Sequence, residues 1–248
     1  MKRIVLLFVF CGFYSLSAYA QPVNVVQVYN VLEKFSTPLD FMIVQKDIAS
    51  MESSRLVQLK SFCRNDKESN LYDLYNRFKL EAFKVGANCF VIDSSYQADS
   101  GKTVVVISVY KLRDQVIVLN QEKMNENNIY VLGNLRIKKE KGRNVKVSGE
   151  TLNIKPLQVK VFTIENGEKF KMKVGGGLVY RFVGYKNMAP KHVCLGGVSL
   201  DPTMTYDYSN GGPPVPHVQS NSAKMQLLDF DFGQFYVEVM QSKSDSTR

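Results

Sequence analysis

The sequence has no tryptophan, only two histidines and four cysteines in 248 residues. It also has few residues that break regular structure, with 8 prolines and 16 glycines. This scarcity excludes a collagen-like chain and a long Pro/Gly-rich linker. After residue 20 no run of apolar residues approaches the roughly 18 needed to cross a membrane, so we expect no transmembrane segment in the rest of the chain.

The residues that are present describe a globular protein. Hydrophobic residues make up 45% of the chain and charged residues 22%. The 32 basic and 23 acidic residues leave a formal net charge of +9. A chain of this length and composition accommodates one large or two medium domains.

The first twenty residues have the pattern of a secretory signal peptide. Two basic residues within 1–3 precede the apolar run 4–14, and the segment ends in Ala18-Tyr19-Ala20. We expect cleavage near Ala20 and export to the periplasm, the cell surface or the medium. Lipidation at Cys11 is disfavoured, because a bacterial lipobox has a small residue before the cysteine and Phe10 is bulky.

Residues 21–114 are predicted to form an α/β domain: a small antiparallel sheet with one long helix. Apolar residues at helical spacing mark a helix over Leu71–Val85, and Gly86 follows where a C-cap glycine belongs. Cys89–Ile92 and Thr103–Tyr110 read as strands after it.

Residues 115–248 are predicted to form an all-β, sandwich-like domain, because short β-rich runs alternate with turn signals. Val116–Leu119 and Phe235–Val239 are two of these runs. Asn166-Gly167 predicts a tight hairpin between Val159–Ile164 and Lys169–Val174, since both turn residues tolerate positive φ.

Export would place three cysteines in an oxidising compartment, where one pair can bridge. Cys63 and Cys89 share the N-terminal half and are the candidate disulfide, which would leave Cys194 as a free thiol. The alternative is that Cys89 is a small buried residue at the start of a strand.

The helix and the strand after it also carry a family resemblance. Glu81-Ala82, followed by Gly86-Ala87-Asn88 and then Val91-Ile92, resembles a signature of the YbjQ-like and Rcs stress-sensor lipoprotein superfamily. The resemblance covers about 80 residues and implies a helix that ends in Gly-Ala-Asn and leads into a core strand. The sensor lipoproteins are exported and have disulfides near this helix, which favours the Cys63–Cys89 pairing.

Basic residues are concentrated between residues 136 and 173. Alternation predicts that Lys169, Lys171 and Lys173 share one strand face, where they would bind an anionic partner such as an acidic envelope glycan. The alternative is that such lysines only protect a sheet edge from pairing. This region contains eleven basic and four acidic residues. The basic residues are Arg136, Lys138, Lys139, Lys141, Arg143, Lys146, Lys155, Lys160, Lys169, Lys171 and Lys173, and the acidic residues are Glu140, Glu150, Glu165 and Glu168.

A loop rich in Tyr, Gly and Pro follows residue 205. Tyr206, Tyr208 and Asn210 are candidate contacts to a carbohydrate or a peptide, since tyrosine offers both a stacking ring and a hydroxyl. An exposed loop without a ligand accounts for the same composition.

Catalytic signals are weak. His192, Cys194 and His217 offer too few ligands for a recognisable metal motif, and no oxyanion hole accompanies a Cys194/His217 pair. A hydrolase site would have to be assembled from scattered residues such as Asp207, His217 and Asp229.

The sequence therefore favours an exported, non-catalytic binding protein of the cell envelope, without cofactor or metal. Its expected partner is an anionic envelope glycan or another envelope protein, and not a nucleic acid, which an exported protein rarely meets. The alternatives are a secreted hydrolase and a structural subunit of an envelope complex.

Overall fold

The computed structural model describes residues 23–29, 41–51, 55–64, 70–98, 102–133, 142–175, 179–196, 204–207, 215–218 and 225–245. These residues form a mixed α+β structure dominated by strands. The predicted signal peptide lies outside the described residues. Among the described residues, no helix combines the length and apolar character required to cross a membrane.

Fifteen strands are described, and they form four sheets. The first sheet has the order β1-β3-β5-β4-β2, the second β15-β12-β6-β9, the third β11-β10-β7-β8, and β13 and β14 pair alone. The strands are β1 Asn24–Val28, β2 Met42–Ile43, β3 Arg55–Arg64, β4 Cys89–Ala98, β5 Lys102–Tyr110, β6 Asn128–Leu132, β7 Arg143–Val147, β8 Glu150–Ile154, β9 Val159–Thr163, β10 Lys169–Lys173, β11 Val179–Val183, β12 Lys191–Cys194, β13 Met204–Asp207, β14 Val215–Val218 and β15 Gln226–Leu228.

Four helices are described alongside these strands: α1 Lys46–Ala49, α2 Asn70–Lys84, α3 Asp114–Met124 and α4 Phe230–Asp245. The helix predicted over residues 71–85 is confirmed as α2. The expectation that it is the one long helix is not confirmed, because α4 has 16 residues and α2 has 15.

The layers stack around α4. One core joins the first sheet and α2 to α4 and to the inner face of the second sheet, as shown by Phe90, Leu132 and Phe235. A second core, with Val131 and Phe170, lies between the second and third sheets, which supports the predicted sandwich. The boundary predicted at residue 114 stays a prediction, and residues from both sides of it share the first core.

The Gly-Ala-Asn segment after α2 has a clear structural role. Gly86 adopts a positive φ of 76° and ends the helix, as expected for a C-cap glycine. Asn88 is buried and accepts a hydrogen bond from the Leu112 amide through Oδ1 while its Nδ2 donates to the Leu112 carbonyl, both at 2.9 Å. The asparagine therefore links the start of β4 to the chain beyond β5.

Two strand predictions in the C-terminal half are wrong, so this half is not all-β. Residues 116–119 lie in α3, and residues 235–239 lie in α4. The second error has a physical reason, since Phe235, Tyr236 and Val237 are each 0% exposed. Apolar residues do recur at helical spacing in α4, but the buried Val237 lies between them, so residues 235–239 also have the apolar, aromatic and β-branched composition of a strand.

The hairpin predicted at Asn166-Gly167 is also wrong. Gly167 does adopt a positive φ of 82°. However, β9 pairs with β6 in the second sheet, whereas β10 pairs with β11 and β7 in the third. The turn therefore carries the chain from one sheet of the sandwich to the other.

Candidate functional site

The three predicted lysines lie on β10, and the structure places them together. Lys169, Lys171 and Lys173 are exposed, while Phe170 and Met172 between them are buried. The buried pair packs into the core between the second and third sheets. Strand alternation therefore directs all three lysines to the outer face of the third sheet.

Neighbouring strands add two more basic residues to this face. Lys171 lies directly opposite Arg181 of β11, and Lys173 lies directly opposite Lys146 of β7. Both added side chains are exposed. Like charges directly opposite each other on a sheet are destabilising, so this arrangement has a cost in the absence of an anion. We call these five residues the basic face: Lys146, Lys169, Lys171, Lys173 and Arg181.

The rest of this sheet surface offers no compensating charge. The other described positions on the same face are polar but uncharged or apolar. No ion pair joins a basic-face residue to another described residue. The positions in question are Asn144, Thr151, Asn153, Val179 and Val183.

The tyrosine-rich loop is only partly described. Tyr206 lies on β13, where it pairs with Pro216 of β14. Tyr208 and Asn210 lie outside the described residues. Their suggested contact with a carbohydrate or peptide therefore stays a prediction.

The predicted disulfide between Cys63 and Cys89 is wrong, since neither cysteine is part of a disulfide and both are buried. Cys63 pairs with Thr103 of β5, whereas Cys89 pairs with Tyr110 at the other end of that strand. Seven strand positions correspond to about 23 Å. A disulfide requires Cα atoms within about 7 Å, and these two cysteines also pack on opposite faces of the sheet.

Cys194 is not placed for nucleophilic chemistry. It is 1% exposed, and burial raises the pKa of its thiol to about 12. A thiol with such a pKa remains protonated near neutral pH, whereas the thiolate is the nucleophile and metal ligand. Among the described residues, no three His, Cys, Asp or Glu side chains gather as a metal-binding group.

His192 is buried and packs against other side chains of the core. It is 1% exposed and stacks on Tyr130, with ring centroids 5.1 Å apart. Its Nε2 lies 3.2 Å from Oε1 of Gln234, and its Nδ1 has no hydrogen-bond partner in the described part of the chain. Burial lowers the pKa of His192 to about 4, so the imidazole is neutral at pH 7.

Gly233 of α4 leaves the space that this imidazole occupies. A Cβ at residue 233 would overlap the ring of His192 and lie 2.6 Å from its Nδ1. We expect Gly233→Ala to lower the free energy of unfolding by about 1–3 kcal/mol, as overpacking does, measured by urea denaturation.

A double-mutant cycle provides the control for Gly233→Ala. In a His192→Ala background the overlap is absent. Adding Gly233→Ala there should therefore lower the free energy of unfolding by clearly less than it does in the wild type. Equal costs in the two backgrounds would show that contact with the imidazole is not the cause.

The residues considered for a hydrolase lie on two separate elements, the start of α4 and the β13-β14 hairpin. Asp229 precedes α4, and its Oδ1 accepts a hydrogen bond from the Phe232 amide at 2.9 Å, as a helix N-cap does. Asp207 pairs with Val215 on the separate β13-β14 hairpin, and His217 pairs with Thr205 there. The Asp229 carboxylate therefore already has a structural role.

The first sheet also carries a polar cluster that was not predicted from the sequence. Asp93 accepts hydrogen bonds from Gln58 and Ser108, each at 2.6 Å, and Arg55 lies 3.4 Å from the same carboxylate oxygen. Irregularities in β3 and β4 beside Ser108 bring these side chains together. The available signal in the sequence was the presence of polar residues within the largely apolar strands β3, β4 and β5. The pairing of these strands was needed to show that the polar side chains come together.

This cluster supports structure rather than catalysis. Arg55 also donates to Ser108 and lies 4.1 Å from the ring centroid of Tyr29. The Asp93 oxygen is thus engaged by three donors, and the hydroxyl of Ser108 by two partners. The hydrogen bonds of the cluster converge on one carboxylate oxygen of Asp93, while Nε of Arg55 is buried without a partner in the described part of the chain.

A cleft of about 490 Å³ lies between α3, the start of β12 and the start of α4. Its lining is mixed, with apolar side chains beside amides and one charge of each sign. The lining residues are Met42, Gln121, Asn125, Ala189, Pro190, Lys191, Leu227, Leu228, Phe230 and Asp231. The basic face, in contrast, carries charged side chains of one sign only, and it includes three of the predicted site residues.

The chain was also compared with known protein families, curated proteins and solved structures. No protein-family model, no curated protein and no solved structure matches the chain.

Proposed function

We propose that this chain is an exported, non-catalytic binding protein of the cell envelope whose basic face binds an anionic glycan. The observation that carries the proposal is the direct opposition of Lys171 to Arg181 and of Lys173 to Lys146, without an acidic residue on the described part of that face. An anionic polymer would relieve the repulsion along the sheet and gain several charge contacts at once.

The position of β10 argues against the alternative role of its lysines. Lysines that discourage edge-to-edge pairing lie on edge strands. β10 is an interior strand, since β11 pairs with one side of it and β7 with the other. Protection of an edge therefore does not account for Lys169, Lys171 and Lys173, and binding of an anion does.

The resemblance to the YbjQ-like and Rcs stress-sensor superfamily fits this proposal in one respect, because that group is also exported. The Gly-Ala-Asn segment that carries the resemblance has a structural role here through Gly86 and Asn88. The proposal therefore does not include a stress-sensing function.

The test is a charge reversal of the predicted residues in the chain without its first twenty residues. The Lys169→Glu/Lys171→Glu/Lys173→Glu variant should bind dextran sulfate about tenfold more weakly than the unmodified protein by calorimetry, because three exposed charge contacts of about 0.5 kcal/mol each are lost. The salt dependence of its affinity should also be shallower.

A matched variant separates the basic face from net charge. Lys84→Glu/Lys160→Glu/Lys186→Glu changes the charge equally at exposed positions on α2, β9 and the turn after β11. This variant should bind dextran sulfate within about twofold of the unmodified protein, since none of its positions lies on the basic face. Equal weakening in both variants, or binding of neutral dextran as tightly as dextran sulfate, would contradict the proposal.

A further inference from the structure

The first sheet has one covered face and one that is largely open. Helices α2 and α4 pack on the covered face. On the opposite face, α1 and α3 cover only the end that contains Cys89, Val91 and the partly buried Tyr110. At the other end Ser94 and Tyr96 are exposed, and no described helix packs over them.

An apolar row crosses the open end of this face. Phe62 of β3 and Tyr96 of β4 both pair with Val104 of β5, one from each side. The two aromatic residues are therefore separated by two strand spacings, about 10 Å. Tyr96 is 39% exposed and Phe62 is half-buried. We call Phe62, Val104 and Tyr96 the aromatic row.

Two lysines lie over the rings of this row. The Lys102 ammonium is 4.5 Å from the ring centroid of Phe62, and the Lys60 ammonium is 5.8 Å from that of Tyr96. Neither lysine makes an ion pair with a described residue. The cation–aromatic contacts hold both side chains over the sheet face, so two positive charges flank the aromatic row.

The neighbouring polar cluster does not neutralise these lysines. The Asp93 carboxylate is already engaged by Arg55, Gln58 and Ser108. Arg55 and Asp93 balance each other, so the net charge of the described part of this face comes from Lys60 and Lys102. The open face therefore combines aromatic surface with two lysines that no described acidic residue neutralises.

We propose that this face is a second binding site, for an acidic sugar chain. Aromatic rings stack on the apolar C–H faces of sugar rings, and lysine ammonium groups pair with the carboxylates of uronic acids. Ser94, which pairs with Val106 next along β5, lies beside the row and supplies a hydroxyl that hydrogen-bonds to sugar hydroxyls. An apolar protein partner would bury both lysines without a counter-charge, which is unfavourable.

The site is independent of the basic face. It lies on the first sheet, whereas the basic face lies on the outer side of the third, and they share no residue. Binding at one site is therefore measurable when the other is altered.

The test uses the Lys169→Glu/Lys171→Glu/Lys173→Glu protein and oligogalacturonate, a chain of acidic sugars. Calorimetry should detect binding, and adding Tyr96→Ala should weaken it about tenfold, whereas Tyr96→Phe should retain it because the ring is kept. Lys60→Gln/Lys102→Gln should weaken it by a similar factor and reduce its salt dependence.

Two further probes identify the class of ligand. Polyglutamate carries the charge without sugar rings, and its binding should not respond to Tyr96→Ala. Single-stranded oligothymidylate should bind more weakly than oligogalacturonate. Absence of oligogalacturonate binding, equal loss in the Tyr96→Ala and Tyr96→Phe variants, or preference for oligothymidylate would each overturn the proposal, and none of these results bears on dextran sulfate binding by the basic face.

Discussion

Replacing Phe235 with alanine is expected to lower the free energy of unfolding by about 3–5 kcal/mol, the usual cost of removing a fully buried phenylalanine. The side chain is 0% exposed, and its ring centroid lies 5.4 Å from that of Tyr75 and 6.0 Å from that of Phe90. Because α4 lies between the first and second sheets, the cavity would weaken packing on both sides. Urea denaturation monitored by circular dichroism measures the change.

The same variant tests whether the two halves of the chain are coupled. The first core contains residues from before and after position 114, so hydrogen exchange of β4 and of β6 should become faster together in the Phe235→Ala protein. The control is Leu80→Ala, which removes an apolar side chain that is 61% exposed on α2 and should change stability by less than about 0.5 kcal/mol. Faster exchange in β6 alone would indicate that residues 21–114 are stable by themselves.

Acidification is expected to destabilise the protein through His192. Burial lowers the pKa of His192 to about 4 in the folded protein, from 6.5 for an ordinary histidine. As the pH falls from 6.5 to 4, the unfolded chain therefore binds a proton that the folded protein does not, and stability decreases. A pKa shift of this size corresponds to a decrease of about 3 kcal/mol in the free energy of unfolding across that pH range.

The contribution of His192 can be isolated by comparison with His192→Phe, which keeps a ring against Tyr130. The imidazole is surrounded by Tyr130, Phe230, Gln234 and its neighbour Lys191, whose charge also lowers its pKa. Burial raises the pKa of Glu238, which contacts Gln234, so protonation of that carboxyl favours the folded state at low pH and opposes the histidine.

The measurement is therefore the difference between two pH profiles. Unfolding free energies from urea denaturation at pH 7 and pH 4 should fall by about 3 kcal/mol more in the wild type than in His192→Phe. Carboxyl groups contribute nearly equally to both proteins and cancel in the difference. Superimposable profiles would show that His192 is not the source of acid sensitivity.

Part of the candidate site was predictable because it depends on neighbours in sequence. Alternation along β10 was sufficient to place Lys169, Lys171 and Lys173 on one face. The contribution of Arg181 and Lys146 was not predictable, because it requires the register of β10 with β11 and β7. The aromatic row depends in the same way on the pairing of β3 and β4 with β5.

Features that arise from local spacing were predictable from the order of the amino acids. The apolar stripe of α2, the glycine that ends it, the first four residues of β4 and most of β5 were predictable, since periodicity and capping act over a few residues. The mixed α+β class followed from these elements.

Features that depend on contacts between residues distant in sequence became visible in the folded structure. Residues 235–239 have the composition of a strand, but they form part of α4, whose apolar residues pack between the first and second sheets. Cys63 and Cys89 are near in sequence, but strand pairing places them at opposite ends of a sheet. Strand pairing also sets which side chains lie opposite one another. It therefore brings basic residues from β7, β10 and β11 together on the basic face.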